Sequence, residues 1–138
     1  MKNTRRQFLQ DTTACLATTA AIACTSPATG AAANEEIVVG LIGCGGRGSY
    51  LGGVFSNVNN VHIAWVSDPD KNRLKIAAKG FNGRKTRIAS DMREIFDDKS
   101  VDAVIVATPD HWHAPAAILA CDAGKHVYVE KPCSHNIR

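Results

Sequence analysis

In the run Gly43-Cys44-Gly45-Gly46-Arg47-Gly48, glycine returns at the first, third and sixth positions. This G-x-G-x-x-G spacing suits a strand-to-helix turn that receives a pyrophosphate. Gly43 permits a tight turn, Gly45 lets backbone approach a phosphate, and Gly48 lets a helix pack closely on a strand. Backbone N–H groups where the helix starts, at Gly46 and Arg47, then face the phosphates, and the helix dipole favours their charge. A glycine-rich turn can also serve packing alone, so a second residue matters. Asp68 stands 20 residues after Gly48, where an acid at the end of the next strand accepts hydrogen bonds from the adenosine ribose hydroxyls. The same carboxylate repels a 2′-phosphate, which favours NAD over NADP. Asp68 also reads as a helix N-cap, and the two roles are compatible. Arg73, close by in sequence, pulls the other way, since its guanidinium can favour a phosphate. His111 and His113 form an H-x-H pair that shares one side only in an extended segment. No further ligand cluster accompanies them, and no metal is expected.

These residues need a scaffold, and the apolar pattern supplies one. Short β-rich runs fall at Ile37–Ile42, Val61–Ser67, Arg87–Ala89, 101–107 and His126–Val129. The unbroken apolar run at 101–107 is that of a strand buried on both faces, as in a parallel sheet. Helices are predicted between them. One spans 69–79, with Asp68 as N-cap, Pro69 in the first position and Gly80 as the stop. Another spans 92–96 behind Asp91 and Glu94, which have capping-box spacing. A third spans 115–123 and closes at Gly124. The helix after Gly48 is the weakest, because Gly52 and Gly53 interrupt it. Alternating strands and helices of this length predict an α/β domain with a doubly wound parallel sheet, the Rossmann arrangement, over residues 35–138.

The chain has 138 residues, 45% hydrophobic and 21% charged, which fits a globular protein and not a disordered one. Its net charge is +3, and Lys2, Arg5, Arg6 and Asp11 fall within residues 1–33. The remainder carries 13 basic and 12 acidic side chains, too even a balance for a nucleic-acid or anionic-membrane footprint. The expected partner is a small molecule in a pocket. Cys15 and Cys24 lie near the N-terminus, leaving Cys44, Cys121 and Cys133 without a C-x-x-C pair. Neither a disulfide framework nor a zinc site follows.

Residues 1–33 read as an export signal. Arg5-Arg6 precede Phe8-Leu9, and an uncharged stretch rich in Ala and Thr runs to Asn34. The paired arginines resemble the twin-arginine signal, which serves proteins that fold before crossing and implies a periplasmic or extracellular destination. Ala31-Ala32-Ala33 offers a cleavage site. Interruption by Ser26, Pro27 and Gly30 argues against a stable membrane span. Cys24 could carry a lipid, but Ala21 stands where lipoprotein signals carry Leu.

Two further segments occupy predicted strand ends: Thr108-Pro109-Asp110-His111-Trp112-His113 and Glu130-Lys131-Pro132. With the glycine loop and Asp68, they make the chain resemble the Gfo/Idh/MocA oxidoreductases, mainly sugar- and polyol-directed dehydrogenases, from about Ile37 onward. The resemblance implies that Lys131 faces the junction of nicotinamide and substrate as the catalytic lysine. Glu130 then fixes this turn and contacts the cofactor region, Pro132 follows a cis bond, and Thr108, Pro109 and His113 lie near the cofactor. Family members continue into a second α/β domain that supplies most of the substrate pocket and a His or Asp proton acceptor. The expectation is therefore the nucleotide half of an exported NAD(P)-dependent dehydrogenase, inactive by itself and homo-oligomeric at full length. Two alternatives stay open: a glycoside hydrolase of the same family that works through retained NAD, and a non-catalytic nucleotide-binding module.

Overall fold

The computed structural model describes residues 36–136. The paired arginines, Cys24 and the triple alanine lie outside the described residues, as do Ile137 and Arg138. Strand β1 (Ile37–Ile42) runs between β2 (Val61–Ser67) and β4 (Ala103–Val106), parallel to both. Strands β3 (Arg87–Ala89) and β5 (His126–Val129) extend the sheet to the order β3-β2-β1-β4-β5. The parallel α/β sheet is as expected. Its order reverses at β1, and ligands of such sheets bind at this switch point, beyond the carboxyl ends of the strands.

Burial on both faces explains the continuous apolar runs. Leu41 and Ile105 join Leu51, Leu74 and Ala77 in one core, while their neighbours Ile42 and Val106 join Ile95, Phe96, Ala116 and Ala120 in the other. Successive strand residues alternate between faces, so each strand must be apolar throughout. Each fully buried Ile, Leu or Val contributes about 1.5–3 kcal/mol.

Helix α1 (Gly46–Ser56) and α2 (Lys71–Ala77) supply the first core, α3 (Arg93–Asp97) and α4 (His113–Asp122) the second. No described helix is long and apolar enough to cross a membrane.

Three boundaries differ from expectation for identifiable reasons. Helix α1 runs unbroken through Gly52 and Gly53, and a Cβ at Gly52 would lie 2.6 Å from the Phe81 ring. Its glycine makes room for an aromatic side chain packed against the helix. Helix α2 begins at Lys71, not Pro69, and its cap is Asp70, whose side chain accepts from the Asn72 and Arg73 N–H groups. Asp68 is unavailable as that cap because its carboxylate is engaged elsewhere. Helix α4 starts at His113, two residues early, directly after a 3-10 turn over Asp110–Trp112. Helix α3 starts at Arg93 behind Met92 without a side-chain cap, so Asp91 and Glu94 do not form the expected box, although Asp91 accepts from Arg93 N–H and Glu94 from Asp91 N–H.

Candidate functional site: a crevice at the carboxyl ends of the strands

The ends of β1, β2, β4 and β5 deliver Gly43, Asp68, Thr108 and Glu130 to one edge of the sheet. Gly43 has φ +90°, and a Cβ there would sit 2.6 Å from the Ala107 carbonyl oxygen. A Cβ at Gly48 would sit 1.8 Å from the Gly43 carbonyl oxygen. The loop thus closes backbone on backbone, which only glycine allows. Above it the space is open: nothing lies within 4 Å of the Gly46 Cβ direction, and the nearest atom at Gly45 is Arg73 Nη1 at 3.6 Å. The N-terminus of α1 has no side-chain cap and no acid in its first turn. Its free N–H groups and positive dipole end suit an anion such as a pyrophosphate.

Asp68 is buried, with 5% exposure. One carboxylate oxygen accepts from Cys44 N–H at 2.7 Å and the other from Asp70 N–H at 2.8 Å. The acid therefore braces the glycine loop against the end of β2. Each oxygen keeps lone-pair capacity for a hydroxyl. Cys44, buried in that loop, has its thiol pushed up to about 12, first by burial and then by the Asp68 carboxylate, and stays protonated. Arg73 pairs with Asp70 at 3.5 Å and reaches over Gly45.

A cleft of about 460 Å3 opens beside the loop, lined in part by Gly43, Asp68, Met92, Thr108, Pro109 and Trp112. The Thr108 hydroxyl is buried without a partner, which leaves it one hydrogen bond to give to a ligand. Trp112 reads from sequence as packing, yet it stands half-exposed on the cleft wall.

Beyond β5, Glu130 accepts from Arg47 Nη2 at 2.7 Å and from the Tyr128 hydroxyl at 3.2 Å. The Arg47 hydrogen bond holds the Glu130 carboxyl below the usual carboxylate range. Lys131 is exposed beside it, and the Lys131–Pro132 bond is cis. His113 is buried, with Nδ1 2.6 Å from the Pro132 carbonyl oxygen and Nε2 2.8 Å from that of Thr108. His111 points elsewhere, to Asp110. The 3-10 turn removes the extended geometry that would set the two histidines side by side. Among the described residues, no three His, Cys, Asp or Glu side chains converge as metal ligands do.

Gly43, Asp68, Thr108 and Pro109 thus line one cleft, and the Glu130-Lys131 turn stands at the same carboxyl edge of the sheet, tied to the glycine loop through Arg47. Sequence reading proposed Arg47 and Glu130 separately but missed their pairing, because no spacing rule connects residues 83 apart.

A parallel switch-point sheet carrying this loop and acid defines a dinucleotide-binding Rossmann domain. Residues 37–138 match the family model described as an oxidoreductase family with an NAD-binding Rossmann fold, and the chain belongs to this family, Gfo/Idh/MocA. It is 34% identical over 100 residues to inositol 2-dehydrogenase 4 of Saccharopolyspora erythraea, covering 72% of this chain and 29% of that protein. It is also 34% identical over 156 residues to glycosyl hydrolase family 109 protein 2 of a Shewanella species, covering 96% of this chain and 34% of the relative. Among solved structures, myo-inositol dehydrogenase from Lactobacillus casei, in complex with NAD(H) and myo-inositol, superposes with TM-score 0.67 at 25% identity. That match covers 72% of this chain and 29% of the other. An NAD-binding protein from Listeria innocua gives TM-score 0.65 at 34% identity, over 72% of this chain and 28% of that one. The chain spans about a third or less of the relatives it matches.

Proposed function

We propose that this chain is the nucleotide-binding part of an exported oxidoreductase that uses NAD in preference to NADP. It passes hydride between a sugar- or polyol-like carbinol and nicotinamide. The observation that carries this reading is the Arg47–Glu130 ion pair, 2.7 Å long. It ties the loop suited to a pyrophosphate directly to the turn that bears Lys131, so the two stand side by side at the carboxyl edge of the sheet.

The residues divide the work. The α1 N-terminus and open glycine loop receive the phosphates. Asp68, already aligned by two backbone N–H groups, accepts from the adenosine ribose and disfavours a 2′-phosphate. Thr108 and Pro109 line the same cleft, and the buried His113 meets the Thr108 carbonyl oxygen. When bound, NAD supplies the hydride acceptor. Lys131, with three ammonium donors, holds the reacting substrate oxygen and stabilises negative charge on it as its carbon loses hydride. Glu130 sets the turn. The chain spans about a third or less of the relatives it matches, and this polypeptide by itself is expected to show no substrate-dependent NADH formation.

Export rests on the paired arginines ahead of the uncharged Ala/Thr stretch within residues 1–33. The 96% coverage in the match to the Shewanella hydrolase, against a family match confined to 37–138, shows that likeness reaches back into this segment. The same observation favours a second reading, in which NAD stays bound and is restored at each turnover, so that net chemistry is glycoside hydrolysis. Export of a folded protein suits a retained cofactor.

Calorimetric titration of the purified chain with NAD and NADP tests the nucleotide assignment. NAD should bind more tightly, and Asp68→Ala should narrow the gap between the two by about tenfold, or ~1.4 kcal/mol. An unchanged preference in that variant refutes the ribose role. In a fusion of this chain to the remainder of a relative, turnover that consumes added NAD supports the dehydrogenase, and turnover without net redox change supports the hydrolase.

A further inference from the structure

His113 is a buried ring with both nitrogens committed. Nδ1 meets the Pro132 carbonyl oxygen at 2.6 Å, and Nε2 meets the Thr108 carbonyl oxygen at 2.8 Å. One carbonyl belongs to the turn after β4 and the other to the turn after β5, and no strand pairing reaches either, since the β4–β5 ladder ends at Val106 and Val129. A single side chain therefore bridges two turns that the sheet leaves unlinked. Its own position is rigid. His113 is the first residue of α4, whose Ala116 and Ala120 are fully buried in the core beneath. A neutral imidazole can donate to one of these carbonyls, and a ring protonated on both nitrogens donates to both.

The bridge falls beside Lys131. Pro132, whose carbonyl is held, follows Lys131 directly, and Glu130, which precedes it, is held by Arg47. The lysine is thus the exposed middle of a turn tied down on both sides. We infer that His113 is a positioning residue: it sets the Lys131 turn against the Thr108 turn, and so fixes where Lys131 stands relative to the dinucleotide cleft. This rests on the reading of the crevice as a dinucleotide site. Both ring nitrogens face carbonyl oxygens and not the cleft, so the effect on ligand passes through Lys131 and Thr108.

The test separates the two ends of the ligand. ADP engages only the glycine-loop end, whereas NAD spans both. For the whole chain, His113→Ala should weaken NAD about tenfold or more and ADP by a clearly smaller factor, narrowing the advantage of NAD over ADP. His113→Asn, which keeps an N–H donor for one carbonyl, should recover part of that advantage. Circular dichroism and thermal melting check that each variant is folded. Equal losses for ADP and NAD, or no loss for either, overturn the inference. If both variants fail to fold, it is also overturned, because the ring then serves the stability of the domain as a whole. Failure of the nucleotide reading is visible beforehand, as wild-type chain that binds neither ligand, and the inference falls with it.

Discussion

The glycine loop and the turn after β5 stand at one edge of the sheet but are built by opposite means. In the loop, backbone meets backbone: a Cβ at Gly43 would strike the Ala107 carbonyl, and one at Gly48 would strike the Gly43 carbonyl. Cys44 between them is 4% exposed, and Asp68 accepts from its N–H. The turn after β5 has no such internal closure. Lys131, Pro132 and Cys133 are all exposed, and side chains from elsewhere place them: Arg47 through Glu130, and His113 through the Pro132 carbonyl. A loop built from its own backbone is rigid but intolerant. A turn held by ties can be loosened one tie at a time.

The largest effect that this contrast predicts is at Gly48. In Gly48→Ala the new methyl meets the Gly43 carbonyl oxygen, 1.8 Å away in the present geometry. Either the loop or the start of α1 must move. Overpacking of this kind costs about 1–3 kcal/mol, and the displaced N–H groups lose the phosphates as well. Thermal melting should fall by several degrees, and calorimetry should show NAD affinity reduced about a hundredfold. Near-normal binding in this variant would mean that the loop is not closed as described.

An intermediate effect is predicted where the turn is tied. Glu130→Gln removes the charge from a pair whose arginine is more than half exposed, and exposed pairs contribute little. NAD affinity should fall less than about fivefold at neutral pH, with folding unaffected. The pH dependence has a definite sign. Arg47 holds the Glu130 carboxyl below its ordinary value, so the tie is in place above the ordinary carboxylate range and is lost as pH falls through the lowered value. NAD binding by the wild type should therefore weaken over that acidic interval, while Glu130→Gln, which cannot titrate, shows a flatter profile there. Parallel profiles for the two proteins would remove Glu130 from the account.

The same contrast explains what could be read from the residues alone. The loop was legible because its determinants are local: three glycines at fixed spacing, an apolar strand before them and an acid 20 residues on. The strands were legible because burial on both faces leaves continuous apolar runs, as at Ala103–Val106. Local spacing failed wherever a distant partner decided. Asp68 reads as the cap of α2, but the helix begins two residues later behind Asp70, while Asp68 braces the loop through the Cys44 N–H, 24 residues away. Gly52 looked like a helix breaker because the Phe81 ring that needs its space lies 29 positions further along the chain. Lys131 became a candidate through the Glu130-Lys131-Pro132 tripeptide, but the ties around it, from Arg47 and His113, leave no mark in sequence spacing.

Gly46 gives the smallest and most discriminating prediction. It is the first residue of α1, and a Cβ there would meet nothing within 4 Å. Unlike Gly43 and Gly48, it is not required by the fold. Alanine lowers the entropy of the unfolded chain and has the better helix propensity, so Gly46→Ala should raise stability by up to about 0.5–1 kcal/mol. The same open space is where a pyrophosphate would approach the helix N-terminus. Stability and NAD affinity should then move in opposite directions, with melting temperature rising slightly while affinity falls a few-fold. A variant that gains stability and binds NAD as well as the wild type would place the phosphates away from Gly46, over Gly45 and the Arg73 side. A variant that loses stability would mean that the loop is closed more tightly than the open space above Gly46 implies.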